Sequence, residues 1–145
     1  MRLQGAIFDF DGTLLDKDGQ PLPGVDRFLF LMKLEDVWMY VAADQSEADT
    51  RQKLEQAGLW KYFRGVMAAC EHRYQPTDPD FYLRIVRRLR TAPKATTVFT
   101  SRPEVLRPLA EAGATVVLVG PDHPEELHAL ASETIFDYRS MVELP

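Results

Sequence analysis

The sequence has little cysteine, no long apolar run and no excess of positive charge, and each shortage narrows what the chain can be. Its single cysteine, Cys70, cannot form an intrachain disulfide, which favours a reducing compartment. The longest apolar run, FLFLM, is far too short to cross a bilayer, and no leader-like segment precedes the first predicted strand. The formal net charge of -5 disfavours a general nucleic-acid or anionic-membrane binder. We therefore expect a cytoplasmic protein without membrane association.

What the chain does contain is an alternation of strand-like and helix-like segments. Its 145 residues, 46% of them hydrophobic, suit one domain with a real core. The alternation predicts a parallel sheet flanked by helices. The predicted strands span residues 4–8, 37–43, 65–69, 96–100 and 114–120. The predicted helices span residues 25–34, 46–57 and 78–89, and a fourth ends at residue 112. The segment containing TIFDY has no clear pattern.

The most informative stretch is DFDGTLLD at residues 9–16, directly after the first predicted strand. On an extended segment, residues i and i+2 point the same way, so Asp9 and Asp11 can face one substrate. Gly12 permits a tight turn after them. In open parallel sheets, ligands bind beyond the carboxyl ends of the strands. The loops that follow the predicted strands are therefore where a site is expected.

DFDGTLLD resembles the first motif of the haloacid dehalogenase (HAD) superfamily. The segments QKLEQAGLWKYF, DPDFYLRIVRRLR and VFTSRPEVLRPLAEAGATVVLVG resemble later elements of that family, so the resemblance covers essentially the whole chain. It implies a Rossmann-like α/β three-layer sandwich with a five-stranded parallel sheet, formed by residues 1–145 as one domain. The segments 16–37 and 44–76 are too short to hold the cap domain of many relatives, so we expect an open site.

The resemblance also implies a reaction. In this family the first aspartate attacks a phosphoryl group to form an aspartyl-phosphate, and the second protonates the leaving oxygen and then activates water. Asp9 is thus the implied nucleophile and Asp11 the implied general acid/base, with Mg²⁺ held by Asp9, Asp11 and Ser101. The positions that correspond to the family's phosphate-binding site are Gly12, Thr13, Ala43, Asp44 and Arg73. The acid at Asp11 favours the phosphatase branch over the halide-displacing enzymes, which lack it.

The second and third motifs depart from the family pattern. The second normally ends its strand in Thr or Ser, but here Ala42 or Ala43 takes that place, and neither can bond a phosphate. Asp44 follows, either at the site or as the cap of the next helix. The third motif normally supplies a lysine, where this chain has Gln75 or Pro76.

Substitutes for the missing lysine and for the fourth motif are few. Arg73 or His72 is near enough in sequence to replace the lysine, although an arginine lacks its compact geometry. The fourth motif normally offers an acid for Mg²⁺, and here Thr100 and Ser101 contribute only uncharged hydroxyls. Glu104 follows, but the predicted helix should point it away. Three altered motifs predict weak catalysis.

Two functions therefore remain open. One is a weak Mg²⁺-dependent phosphomonoesterase that acts on a phosphorylated small molecule or macromolecule. The other is a catalytically inactive relative that binds a phosphorylated ligand or a protein partner, which includes a second copy of the chain. An open site favours a large substrate, or a cap supplied by a partner subunit.

Three further features have competing interpretations. The stretch RIVRRLRTAPK is either a solvated helix face, since its apolar residues point inward, or a docking patch for an acidic partner or RNA. Cys70 follows an apolar stretch and is expected to be a buried structural thiol. His123 and His128 lack a usual helical metal-binding spacing and are expected at the surface.

Overall fold

The structure is a computed structural model that describes residues 3–120 and 131–142. His123 and His128 lie outside these residues, so their surface placement stays a prediction. The described strands are β1 (Gly5–Asp9), β2 (Trp38–Ala43), β3 (Gly65–Ala68), β4 (Thr96–Thr100), β5 (Thr115–Val119) and β6 (Glu133–Ile135). The described helices are α1 (Val25–Leu34), α2 (Glu47–Gln56), α3 (Pro79–Leu89), α4 (Leu106–Glu111) and α5 (Arg139–Val142). Short 3₁₀ turns occupy Trp60–Tyr62, Cys70–His72, Pro93–Ala95 and Pro103–Val105.

All six described strands form one parallel sheet in the order β3-β2-β1-β4-β5-β6. The prediction of five strands is wrong by one, because β6 pairs with β5 and places Ile135 beside Val119. A strand of three residues is too short to show a pattern in the sequence. The central position of β1, between β2 and β4, makes its carboxyl end the switch point at which such sheets bind ligands.

Helices cover both faces of the sheet. Side chains alternate along β1, so Phe8 points to the face covered by α1 and α2, and Ile7 points to the face covered by α3 and α4. On the first face Phe8 stacks on Phe99 with ring centroids 4.5 Å apart. Burial of a large apolar side chain contributes about 1.5–3 kcal/mol, so these two layers hold the sheet in place.

Local signals set the helix ends near the site. Ser46 caps α2 by accepting a hydrogen bond from the Asp49 amide at 3.1 Å, so Asp44 is not the cap. Asp78 caps α3 ahead of Pro79, which fits the first helical position. Asp44 is therefore available for another role.

Two expectations about the surface have different outcomes. Cys70 is exposed in the turn after β3, so the prediction of a buried thiol is wrong; the strand ends at Ala68, before the cysteine is reached. No helix in the described ranges is long and apolar enough to span a membrane. The absence of a cap domain stays a prediction.

Candidate active site

Asp9 closes β1 and is buried, with 4% of its surface exposed. Strand alternation directs it to the same face as Ile7, toward α3. Tyr82 of α3 donates its hydroxyl proton to Asp9 Oδ1 at 2.6 Å. Thr100, at the end of β4, donates to Asp9 Oδ2. Both carboxylate oxygens of the implied nucleophile therefore already accept a hydrogen bond.

Burial controls the acidity of this group. It raises the pKa of the Asp9 carboxyl to about 6, against the opposing effects of the two hydroxyl donors and the Arg102 charge. Burial, reinforced by the negative charge of Asp9, also raises the pKa of Tyr82 well above its usual value. The Tyr82 hydroxyl consequently keeps its proton and acts as a donor.

Arg102, two residues after the end of β4, supplies positive charge at this edge of the sheet. Its guanidinium Nη2 donates to Asp44 Oδ2 and lies 4.0 Å from Asp11 Oδ2. The same charge lowers the pKa of Asp9. One guanidinium thus faces three carboxyl groups. Its closest partner is the acid that follows β2.

Asp9 and Asp11 lie in different environments. The strand ends at Asp9, so the alternation that would align the two side chains does not continue. The Asp11 side chain is two-thirds exposed, whereas Asp9 is buried. The two acids are linked through the charge of Arg102 and do not face one open pocket together.

The turn after β1 is held closely. Gly12 has a φ of +70°, and a Cβ there would come within 3.0 Å of Ser101 Oγ. The Ser101 hydroxyl donates to the Asp11 carbonyl at 3.0 Å. Thr13 is fully buried, and its carbonyl accepts the Tyr138 hydroxyl proton at 2.8 Å. The loop is thus fixed from two directions, by the segment after β4 and by the segment after β6.

The second strand offers no polar side chain at its end. Ala42 is the register partner of Asp9, and Ala43 is buried beside it. Of the predicted phosphate-binding positions on this loop, only Asp44 carries a functional group, and Arg102 binds it. An anion at this edge would meet a carboxylate where the family has a hydroxyl.

The two bases proposed to replace the missing lysine lie elsewhere. Arg73 is exposed, has a φ of +63° and makes no side-chain hydrogen bond or ion pair with a described residue. It shares with Asp44 the wall of a depression of about 380 Å³. His72 Nε2 lies 2.8 Å from Glu47 Oε2, so that ring pairs with α2. The role of Arg73 stays a prediction.

A larger cavity of about 580 Å³ opens beside Asp11. It lies between the turn after β1 and the flap formed by residues 16–19, and Lys53 of α2 also lines it. Asp9 is not among its lining residues. The reachable carboxylate of the motif is therefore that of Asp11.

The donor set does not fit a divalent metal ion. In residues 3–120 and 131–142, no group of three or more His, Cys, Asp or Glu side chains could hold one. Mg²⁺ requires oxygen ligands in a near-ideal octahedron. Here both Asp9 oxygens and the Asp11 carbonyl accept hydroxyl protons, and the nearby cation is Arg102. Asp9, Asp11 and Ser101 lie close together, but their oxygens are hydrogen-bonded to neighbouring side chains and to one another, and they do not form a metal site.

The prediction from sequence named Thr100 only as an uncharged hydroxyl for Mg²⁺, and it missed Tyr82, Arg102 and Lys53. Tyr82 and Thr100 had a signal: alternation directs Val98 and Thr100 to the face where α3 packs, as it does Asp9. Arg102 had a weaker signal, as a basic residue two positions after β4 that the following Pro103 keeps in an extended conformation. Lys53 had none, since it lies mid-helix on α2.

Solved structures with a similar architecture include several HAD proteins. An HAD family hydrolase from Deinococcus radiodurans R1, with bound phosphate and sodium, matches with a TM-score of 0.80 and 15% identity over 96% of this chain and 93% of that chain. L-2-haloacid dehalogenase from Xanthobacter autotrophicus matches with a TM-score of 0.77 and 13% identity over 96% of each chain. The HAD-type protein YfnB from Bacillus subtilis, bound to magnesium, matches with a TM-score of 0.83 and 10% identity over 97% of each chain.

At these identities the likeness concerns the fold. No family model and no curated protein matches the sequence. The resemblance seen in DFDGTLLD is nevertheless confirmed in three dimensions, because the motif lies at the carboxyl end of the central strand in a six-stranded parallel sheet. The chain has the fold of the haloacid dehalogenase superfamily.

Proposed function

We propose that the chain is a catalytically inactive relative of the HAD hydrolases and acts as a protein-binding module. The observation that carries this proposal is the state of Asp9, whose two carboxylate oxygens accept hydroxyl protons from Tyr82 and Thr100 in a buried position. Attack on phosphorus needs a carboxylate oxygen that the substrate can reach. Each Asp9 oxygen keeps a second lone pair, but the group is buried and its negative charge is already stabilised by a hydroxyl donor on each oxygen.

The energetic barriers to attack add up. Releasing one charge-assisted hydrogen bond from Asp9 costs about 1.5–3 kcal/mol, which is roughly ten- to more than a hundredfold in rate. Two like charges about 4 Å apart repel by about 4 kcal/mol at an effective dielectric of about 20. Arg102, the cation that could offset this repulsion for a phosphate, is bound to Asp44.

A protein partner fits the charges better than a phosphorylated ligand. Asp9, Asp11 and Asp44 surround Arg102, so the site carries more negative than positive charge when these acids are ionised. A phosphate dianion would be repelled there. We also propose that the protein acts in the cytoplasm, as the single cysteine leads us to expect.

The second candidate is the Mg²⁺-dependent phosphomonoesterase, with Asp9 as nucleophile and Asp11 as general acid/base. The observation in its favour is the position of DFDGTLLD at the switch point of the sheet, with Asp11 exposed beside a cavity of about 580 Å³. It requires a phosphoryl group to reach the buried Asp9 carboxylate, whose nucleophilicity is reduced by the hydrogen bonds from Tyr82 and Thr100.

Hydrolysis of p-nitrophenyl phosphate, with and without Mg²⁺, separates the two candidates. The proteins to compare are the wild type, Asp9→Asn, and Asp49→Asn as a matched control at an exposed acid of α2. We expect equal background rates in all three, with no response to Mg²⁺. A rate that needs Mg²⁺ and is lost only in Asp9→Asn would overturn the proposal and support the phosphomonoesterase.

A further inference from the structure

The outer face of α3 carries a group of arginines that the candidate active site does not use. Arg84, Arg87, Arg88 and Arg90 are all exposed and together line a surface depression of about 410 Å³. None of the four forms an ion pair with a described residue. In a chain of net charge -5, four cations that no described carboxylate neutralises reverse the charge of one surface region.

Local stability explains only part of this group. Arg87 and Arg88 lie in the last turn of α3, where the helix dipole favours cations. Arg84 lies farther from that end. Arg90 has a φ of +59°, a conformation that costs about 1–2 kcal/mol without glycine. Arginine therefore occupies a position at which glycine would make the folded chain more stable.

An apolar depression continues from this group. Arg90 also lines a second depression, of about 390 Å³, at the amino ends of β1 and β2. Leu3 and Trp38 contribute its apolar surface, Asp36 is an acid that also lines it, and Trp38 is 40% exposed. The Arg64 guanidinium lies 4.0 Å from the centre of the Trp38 ring and keeps that ring in place.

We infer that this continuous surface, which we name the arginine groove, docks an acidic protein segment carrying one large apolar side chain. The inference rests on the proposed function, because it identifies the partner of a chain that acts by binding. Guanidinium groups bind carboxylates in a two-pronged geometry, and Arg and Trp dominate the energy of protein interfaces. The carboxylates would bind Arg84, Arg87 and Arg88, and the apolar side chain would lie against Trp38.

The dimensions favour a peptide over a nucleic acid. From Arg84 to Arg90 the chain advances about 9 Å at the helical rise, so about four phosphates at most could be neutralised there. The rest of a chain of charge -5 would repel the remaining phosphates. Acids three and four residues apart on a partner helix match the spacing of Arg84, Arg87 and Arg88.

Fluorescence anisotropy with a short labelled peptide, several glutamates around one phenylalanine, tests the inference. We expect saturable binding to the full chain that weakens as salt is added. Reversing two charges in Arg87→Glu/Arg88→Glu should weaken binding by about tenfold, because two ion pairs are replaced by two repulsions. The matched control, Arg27→Glu/Arg107→Glu, reverses two exposed charges outside the arginine groove and should leave affinity unchanged.

The apolar contact has its own comparison. Replacing the peptide's phenylalanine by alanine should lower its affinity for the wild-type protein. The same replacement should hardly change the peptide's affinity for the Trp38→Ala variant, which already lacks the indole ring. Circular dichroism and thermal unfolding confirm that each variant is folded. Equal affinities of both double variants, or tighter binding of a single-stranded RNA of the same length, would overturn the inference. The inference would also be overturned if the chain dimerised through the arginine groove and the dimer did not bind the peptide. The occupant of the groove would then be a second copy of the chain.

The two proposals fail separately. If neither the peptide binds nor p-nitrophenyl phosphate is hydrolysed, the arginine groove is rejected while the inactive site stands. If hydrolysis depends on Mg²⁺ and Asp9, the proposed function is rejected whatever the peptide does.

Discussion

At the scale of single residues, burial and hydrogen bonding have opposite effects on the pKa of Asp9. The carboxyl is removed from water, which favours its neutral form, while Thr100 and Tyr82 stabilise the charged form. Burial prevails and brings the pKa to about 6. Because the pKa of Asp9 is raised in the folded chain, its protonation state affects the free energy of unfolding.

The pH dependence of stability should reveal Asp9. Because the folded pKa of about 6 exceeds the ordinary value of 3.8, the folded chain binds the proton more tightly than the unfolded chain. The wild type should therefore lose on the order of 3 kcal/mol relative to Asp9→Asn as pH rises from about 4 to above 6. Urea unfolding at each pH measures this difference. Asp49→Asn should show no such trend, and a pH-independent difference for Asp9→Asn would contradict the assignment.

Removing the Tyr82 hydroxyl should raise the pKa of Asp9 above about 6, because that hydrogen bond favours the carboxylate. Tyr82→Phe should also lower the free energy of unfolding near neutral pH by about 1–3 kcal/mol. Carbon-13 NMR of the Asp9 carboxyl gives the pKa directly. Tyr74→Phe, at a half-buried tyrosine whose ring packs on Phe81, should change neither quantity. An unchanged pKa in Tyr82→Phe would show that the hydroxyl does not hold Asp9.

At the scale of elements, α3 contributes residues both to the candidate active site and to the arginine groove. Its inner face packs Phe81 and Ile85 against the sheet and positions Tyr82 on Asp9. Its outer face carries arginines. The stability of α3 should therefore affect both the hydrogen bond between Tyr82 and Asp9 and the arrangement of the exposed arginines.

The cap of α3 offers a test. The Asp78 carboxylate accepts a hydrogen bond from the Asp80 amide at 2.9 Å. Asp78→Ala should reduce the free energy of unfolding by about 1 kcal/mol, while Asp78→Ser, which can also cap, should recover most of it. Chemical denaturation measures both. Equal stability of the alanine and serine variants would show that the cap contributes little.

The bounds of the strands were the feature of the fold that the sequence predicted best. The five long strands lie within one residue of their predicted bounds, because apolar runs between turn residues are strong signals. The short β6 was missed because three residues at a sheet edge carry no periodicity. At the site, the position of Asp9 followed from the motif, but its bonds to Tyr82 and Thr100 did not. They depend on the register of three elements that are distant in the chain.

At the scale of the whole molecule, the chain after β5 returns to the site. Tyr138 is fully buried, and its hydroxyl reaches the Thr13 carbonyl of the first motif. Its ring also stacks on Phe28 of α1, with centroids 5.3 Å apart. The last described segment thus supports the loop on which Asp11 lies.

Tyr138→Phe keeps the ring and removes only this bond. We expect the free energy of unfolding to fall by about 1–3 kcal/mol, because the buried Thr13 carbonyl loses a donor. Amide hydrogen exchange in residues 11–14 should accelerate, since opening of the loop becomes easier. Tyr40→Phe, whose hydroxyl accepts only a long bond of 3.5 Å from Arg88, is the matched control. Unchanged exchange in Tyr138→Phe would contradict the role of the last segment.

On the proposed function, Asp9 is a bonded structural carboxyl and neither a nucleophile nor a metal ligand. The most direct test is a Mg²⁺ titration of the wild type and Asp9→Asn, monitored through the Asp9 carboxyl carbon and the Gly12 amide by NMR. The account predicts that the Asp9 carboxyl signal does not respond to Mg²⁺, and that the Gly12 amide behaves alike in both proteins. A saturable Mg²⁺ shift of both signals in the wild type, with the Gly12 shift lost in Asp9→Asn, would contradict it.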